Sequence, residues 1–180
     1  MTPAGYMAKR VANRPDWIRR GEILDIYSVS SCISKAFADY IHFWKHNGYW
    51  FFNSPETMKR VAAENSIDLT GTALFYYEVY ELEFNDEVWQ SFEPEPSFET
   101  NVVVPSAKQL EGFDVVNYTA RTSPECSPLA CNNLAEILPA NSHCLFASFD
   151  LAKQHVEAGD FNDAEPGPYR IHSVYSVGWD

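Results

Sequence analysis

From Ala73 to Phe84 the chain reads ALFYYEVYELEF, its longest apolar and aromatic run. Taken with a period of two, one face carries Leu74, Tyr76, Glu78, Tyr80, Leu82 and Phe84, and the other Phe75, Tyr77, Val79, Glu81 and Glu83. Both faces are apolar over the first half, and aromatic and β-branched side chains suit a pleated surface. The pattern predicts a strand covered on both sides, at the centre of a sheet. Near the C-terminus, YRIHSVYSVGW alternates cleanly, with Tyr169, Ile171, Ser173, Tyr175, Val177 and Trp179 on one face and Arg170, His172, Val174 and Ser176 on the other. That is the pattern of a half-buried antiparallel strand. Phe113–Ala120 predicts a third strand, and shorter ones are expected near Ile23–Val29, Tyr49–Phe52 and His143–Ala147.

Helical spacing shows first at Ile33, Phe37, Tyr40, Ile41 and Trp44, ahead of Gly48. Ser54-Pro55-Glu56 is a helix start: a Ser cap, Pro at the first position and an early acid at the positive dipole end. That helix is expected to run to about Asn65 and to bury Met58, Val61 and Ala62. A short helix is expected over Leu129–Leu138, and another after Ser148, ended by Gly159. Glu87–Pro105, punctuated by Pro94, Pro96 and Pro105, reads as a long loop. Residues 1–15 lack periodicity and read as a flexible basic arm. Residues 16–180 read as one α+β domain, mainly an antiparallel sheet of about four to six strands flanked by about three to four helices, because crossover helices do not regularly separate the strands.

Composition sharpens this in one respect, charge. Hydrophobic residues make up 46% and aromatics 15%, a globular composition. No apolar run is long enough to span a membrane, and the N-terminus lacks a signal peptide's apolar core, so a cytoplasmic protein is expected. The four cysteines, Cys32, Cys126, Cys131 and Cys144, are then expected to be reduced and metal-free, with no cofactor. A formal net charge of −12 argues against direct binding of nucleic acid or an anionic membrane. The charge is concentrated: no Lys or Arg occurs from Val61 to Ala107, a span with ten acids.

Several constellations have the residue types for chemistry. Asp39, His42 and His46 share the first predicted helix, with the histidines one turn apart, but without the HExxH pattern. Cys126, Cys131, His143 and Cys144 supply four soft ligands at a spacing that fits no standard zinc ribbon or finger. Cys131 at a helix start could be paired with His143 or His172 as nucleophile and base. Glu78, between Tyr76 and Tyr80, is a candidate general acid or base, or an ion-pair partner of Arg170 or Arg121.

Two readings of function follow. The first is a non-enzymatic module whose Glu81, Glu83, Asp86, Glu87, Glu93 and Glu95, with Trp89 and Phe92, meet a basic protein partner. An inhibitor, immunity protein or antitoxin has such a surface, where charge speeds encounter and aromatics anchor the complex. The second is a small-molecule binder or enzyme using Glu78, Arg170 and His172, with Cys131 or His143 nearby. An exposed acidic-aromatic surface favours the first, and convergence in a closed pocket favours the second.

Overall fold

Alternation at the C-terminus produces the strand on which the sheet is organised. The structure, a computed structural model, describes residues 1–37, 47–119 and 123–179. Its strands are β1 (Thr2–Arg10), β2 (Ala12–Asn13), β3 (Asp25–Ile26), β4 (Lys35–Ala36), β5 (Ala73–Val79), β6 (Leu82–Asn85), β7 (Val88–Ser91), β8 (Gln109–Asn117) and β9 (Tyr169–Val177). β9 pairs with β8 along one edge and with β5, then β6, along the other. β5 in turn pairs with β1, β1 with β4, and β6 with β7. Every pairing is antiparallel, which gives a seven-stranded sheet beside the small β2–β3 pair.

Three α-helices accompany the strands: α1 (Pro55–Glu64), α2 (Pro128–Cys131) and α3 (Phe149–Glu157). This is a mixed α+β fold, with three α-helices among the described residues. Ser54 and Ser148 cap α1 and α3 as their sequences predict, accepting hydrogen bonds from the Thr57 and Leu151 amides. Met58, Val61 and Ala62 bury the inner face of α1, and Ala152 and Val156 that of α3. The helices serve two buried clusters, one around Phe51, Phe52, Phe75 and Tyr77, the other around Phe146, Phe161, Val115 and Ile171. No helix among the described residues is long and apolar enough to cross a membrane.

Several expectations need correction. Residues 2–10 form no flexible arm. They are an interior strand whose residues Ala4–Lys9 are buried. Gly5 is small because the chain passes close to its neighbours: a Cβ there would lie 2.6 Å from the Phe52 carbonyl oxygen and 2.7 Å from Phe51 Cβ. Lys9 turns inward, its ammonium donating to the carbonyls of Ser28, Val29 (3.0 Å) and Ser30 (2.6 Å). The 73–84 run is two strands, broken at Tyr80–Glu81, where the Tyr80 amide bonds to Ile171 O at 2.8 Å. Val88–Ser91, expected to be loop, closes a hairpin on β6. Tyr49–Phe52 and His143–Ala147 are not strands; each contributes one pairing residue, Phe52 with Tyr6 and Phe146 with Phe113. Only Asp25–Ile26 of the expected 23–29 strand pairs. The expected 129–138 helix is α2 followed by a 3₁₀ turn at Leu134–Glu136. The helix expected after Ile33 falls largely on residues 38–46, outside the described residues, as do Asp39, His42 and His46.

Candidate functional site

The β6–β7 hairpin carries the centre of the acidic stretch. Its two-residue loop is Asp86–Glu87, and both residues lie in the left-handed region, at φ 49° and 64°. That is the geometry of a tight hairpin turn, where Asn-Gly is the usual pair because positive φ burdens other side chains. Both acids are exposed, and no cation pairs with either among the described residues. Beside the loop runs a groove lined by Phe84, Glu87, Trp89, Glu157, Gly159 and Asn162, with a volume of about 560 Å³. A second hollow of about 340 Å³ continues from Phe84, Asp86 and Glu87 toward Pro166 and Tyr169. Trp89 forms one wall, edge-on to Tyr80 and packed on Phe84, with its indole N–H donating to Glu157 Oε1 at 2.7 Å. Lys153 pairs with Glu157. The carboxylates left without a cation beside the two hollows, among the described residues, are therefore Glu87 and Asp86, the latter accepting from Asn85 Nδ2 at 3.0 Å.

The rest of the expected acidic surface divides. Glu81 and Glu93 are exposed, and Glu95 is half-buried and accepts from the Ser97 hydroxyl at 2.8 Å. Glu83 is buried, its Oε2 held by Arg170 Nε at 3.0 Å and Nη2 at 2.9 Å. Phe92 is not an exposed anchor: it covers the Arg170 guanidinium at 3.7 Å, with Tyr118 at 4.1 Å. Cations remote in sequence thus satisfy acids that have no local partner.

Glu78, Arg170, His172, Cys131 and His143 do not share a pocket. Glu78 sits between Lys108 Nζ (2.5 Å) and the Tyr175 hydroxyl (3.0 Å). Arg170 and His172 share Tyr118, whose hydroxyl lies 3.2 Å from His172 Nε2. His172 is fully buried, its Nδ1 has no partner among the described residues, and burial pushes its pKa down to about 3. His143 is a clamp: Nδ1 lies 2.6 Å from Asp25 Oδ1, and the ring stacks on Tyr27 at 4.1 Å. Cys144 is buried in the second cluster, and burial pushes its thiol up to about 12.

A different set of sulfurs converges. The Sγ atoms of Cys32, Cys126 and Cys131 all lie within 4.8 Å of one another. None is in a disulfide. Cys126 Sγ lies 3.1 Å from Asn132 Oδ1, and Cys131 Sγ 3.8 Å from Ser30 Oγ. Cys32 Sγ lies 3.0 Å from the Glu125 carbonyl oxygen, and hydrogen bonding within the cluster pushes the Cys32 thiol down while those of Cys126 and Cys131 are pushed up. Behind them stands a buried support. Ser127 Oγ donates to Asp114 Oδ2 at 2.6 Å and accepts from the Ser30 amide at 3.2 Å; Asp114 Oδ2 also accepts from the Val29 amide at 2.7 Å. Burial raises the pKa of Asp114 to about 6, and its Oδ1 has no partner among the described residues. The sequence gives Cys126 and Cys131 as one pair but offers no signal for Cys32, which lies on a remote loop. Spacing points instead to His143 and Cys144, which the fold takes elsewhere. No protein-family model, curated protein or solved structure matches the chain.

Proposed function

We propose that the protein is a non-enzymatic interaction module that presents the acidic β6–β7 hairpin tip, and the groove beside it, to a basic protein partner. The observation that carries this reading is the Asp86–Glu87 pair. Two acidic residues occupy adjacent left-handed positions; Asp is a usual first residue of such a turn, but Glu87 stands where Gly would relieve strain of about 1 kcal/mol. Strained backbone that retains unmatched charge is a mark of a functional position. The groove's lining supports the reading: carboxylates stand beside it, and the Trp89 ring already takes a cation, the Lys153 ammonium at 5.2 Å from its centre. The partner class is a cationic protein such as a nuclease or toxin, whose basic surface the module would cover, and the setting is the cytoplasm.

The first test is binding of an arginine-rich peptide, measured by calorimetry at two salt concentrations. Affinity should fall as salt rises, because exposed charges are screened beyond about 8 Å at physiological ionic strength. The Asp86→Lys/Glu87→Lys protein should bind at least tenfold more weakly. Equal binding by the two proteins would overturn the reading.

A further inference from the structure

We propose that Cys32, Cys126 and Cys131 form a three-sulfur site for a thiophilic divalent cation, Zn²⁺, with a fourth coordination position open on the Cys32 side. The expectation of metal-free cysteines rests on the missing export signal and on the spacing of Cys126, Cys131, His143 and Cys144, and the fold brings together another set.

The geometry is close to what the ion requires. A tetrahedral zinc with Zn–S near 2.3 Å separates its sulfurs by about 3.8 Å. The three Sγ atoms already lie within 4.8 Å of one another, so closing on an ion needs movements of about 1 Å or less, the scale of a side-chain adjustment. Two of the ligands are held by their own backbone, and the third through a neighbour in its loop. The Cys126 amide donates to Asn117 Oδ1 at 2.7 Å, and the Asn117 amide to the Cys126 carbonyl at 3.0 Å. The Cys131 amide donates to Ser127 O at 3.0 Å. Ser30, two residues before Cys32, is tied through the Ser127 hydroxyl to Asp114. Such outer hydrogen bonds fix the direction of metal-ligating side chains.

Packing does not explain the cluster. Cys32 is exposed, so its sulfur fills no core space, yet it lies beside two inward-facing thiols. Thiolate donors select zinc or cuprous ions over the hard cations, and three protein ligands with an open fourth position suit a tetrahedral zinc. Three thiolates on a divalent ion leave one negative charge, and the buried Lys9 ammonium is bonded to the carbonyl of Ser30 in the same loop.

Cobalt titration tests the proposal. Reduced, chelator-treated full-length protein should take up one Co²⁺ per chain, with a thiolate-to-cobalt charge-transfer band and the visible bands of a tetrahedral ion. One equivalent of Zn²⁺ should abolish both. Cys32→Ser and Cys131→Ser should each weaken uptake at least tenfold, whereas Cys144→Ser should leave it unchanged. Cys32 is exposed, so its variant keeps the fold, which circular dichroism checks. In the wild type, zinc should protect three of the four thiols from alkylation, as counted by mass spectrometry. Absence of tetrahedral cobalt bands, uptake by Cys32→Ser equal to the wild type, or binding confined to Cu⁺ would overturn the proposal.

Discussion

Arg170 and Glu83 form an ion pair within the fold, with two guanidinium nitrogens on one carboxylate oxygen at 2.9 and 3.0 Å, enclosed by Phe92 and Tyr118. The pair joins β9 to β6, the strand that carries the acidic hairpin. Breaking a buried pair by removing one partner leaves an uncompensated charge. Glu83→Gln should therefore cost about 3 to 5 kcal/mol of stability in urea denaturation. Glu87→Gln, at the exposed tip, should change stability by no more than about 0.5 kcal/mol. Similar values for both would show that Glu83 is not held as described.

The N-terminal strand gives a second expected outcome. β1 lies between β4 and β5, and its Lys9 ammonium serves three carbonyls of the 28–30 loop. A chain that begins at Val11 should fail to fold, with no cooperative thermal transition, and Lys9→Met should lose about 3 kcal/mol. A truncated chain that melts like the full one would restore the mobile-arm reading.

These two cases show what local patterning can and cannot carry. β9 is legible because its side chains alternate, the first half of β5 because its aromatic run is apolar on both faces, and α1 and α3 because their Ser caps precede a 3.6-residue stripe. β1 is hidden because its partners demand small residues: Gly5 sits where any Cβ would strike Phe51 and Phe52. Its buried cation, Lys9, is held by carbonyls that no short-range pattern reveals. The acidic stretch is legible as charge, but Arg170 and Lys108, which satisfy Glu83 and Glu78, arrive from other strands and loops. The thiol cluster is the extreme case, since Cys32 meets Cys126 and Cys131 only through the tertiary fold.

The buried pair Asp114 and His172, opposite each other on β8 and β9, predicts a pH signature. Burial raises Asp114 to about 6, above its unfolded value near 3.9, so its contribution to stability is full below about pH 4 and is lost as pH rises to about 6. Burial depresses His172 to about 3, below its unfolded value near 6.5, so its contribution is full above about pH 6.5 and is lost as pH falls. Between about pH 4 and 6 the two slopes oppose, each reaching about 1.4 kcal/mol per pH unit. The stability of Asp114→Asn relative to wild type should therefore rise with pH across that window, and that of His172→Gln should fall. Urea melts at half-unit pH steps measure both, and a pH-independent difference for either variant would contradict its assignment.

The hairpin tip offers the most direct test of the proposed function, because stability and binding are expected to move in opposite directions. Asp86→Asn with Glu87→Gly installs the pair that this turn geometry prefers and removes both unmatched charges. The measurement is paired: urea denaturation of the double variant, and calorimetric titration with the arginine-rich peptide at low salt. The account predicts a protein more stable by about 1 kcal/mol that binds the peptide at least tenfold more weakly. A variant that gains stability while binding as the wild type does would contradict it, leaving the acidic tip as solubilising charge alone.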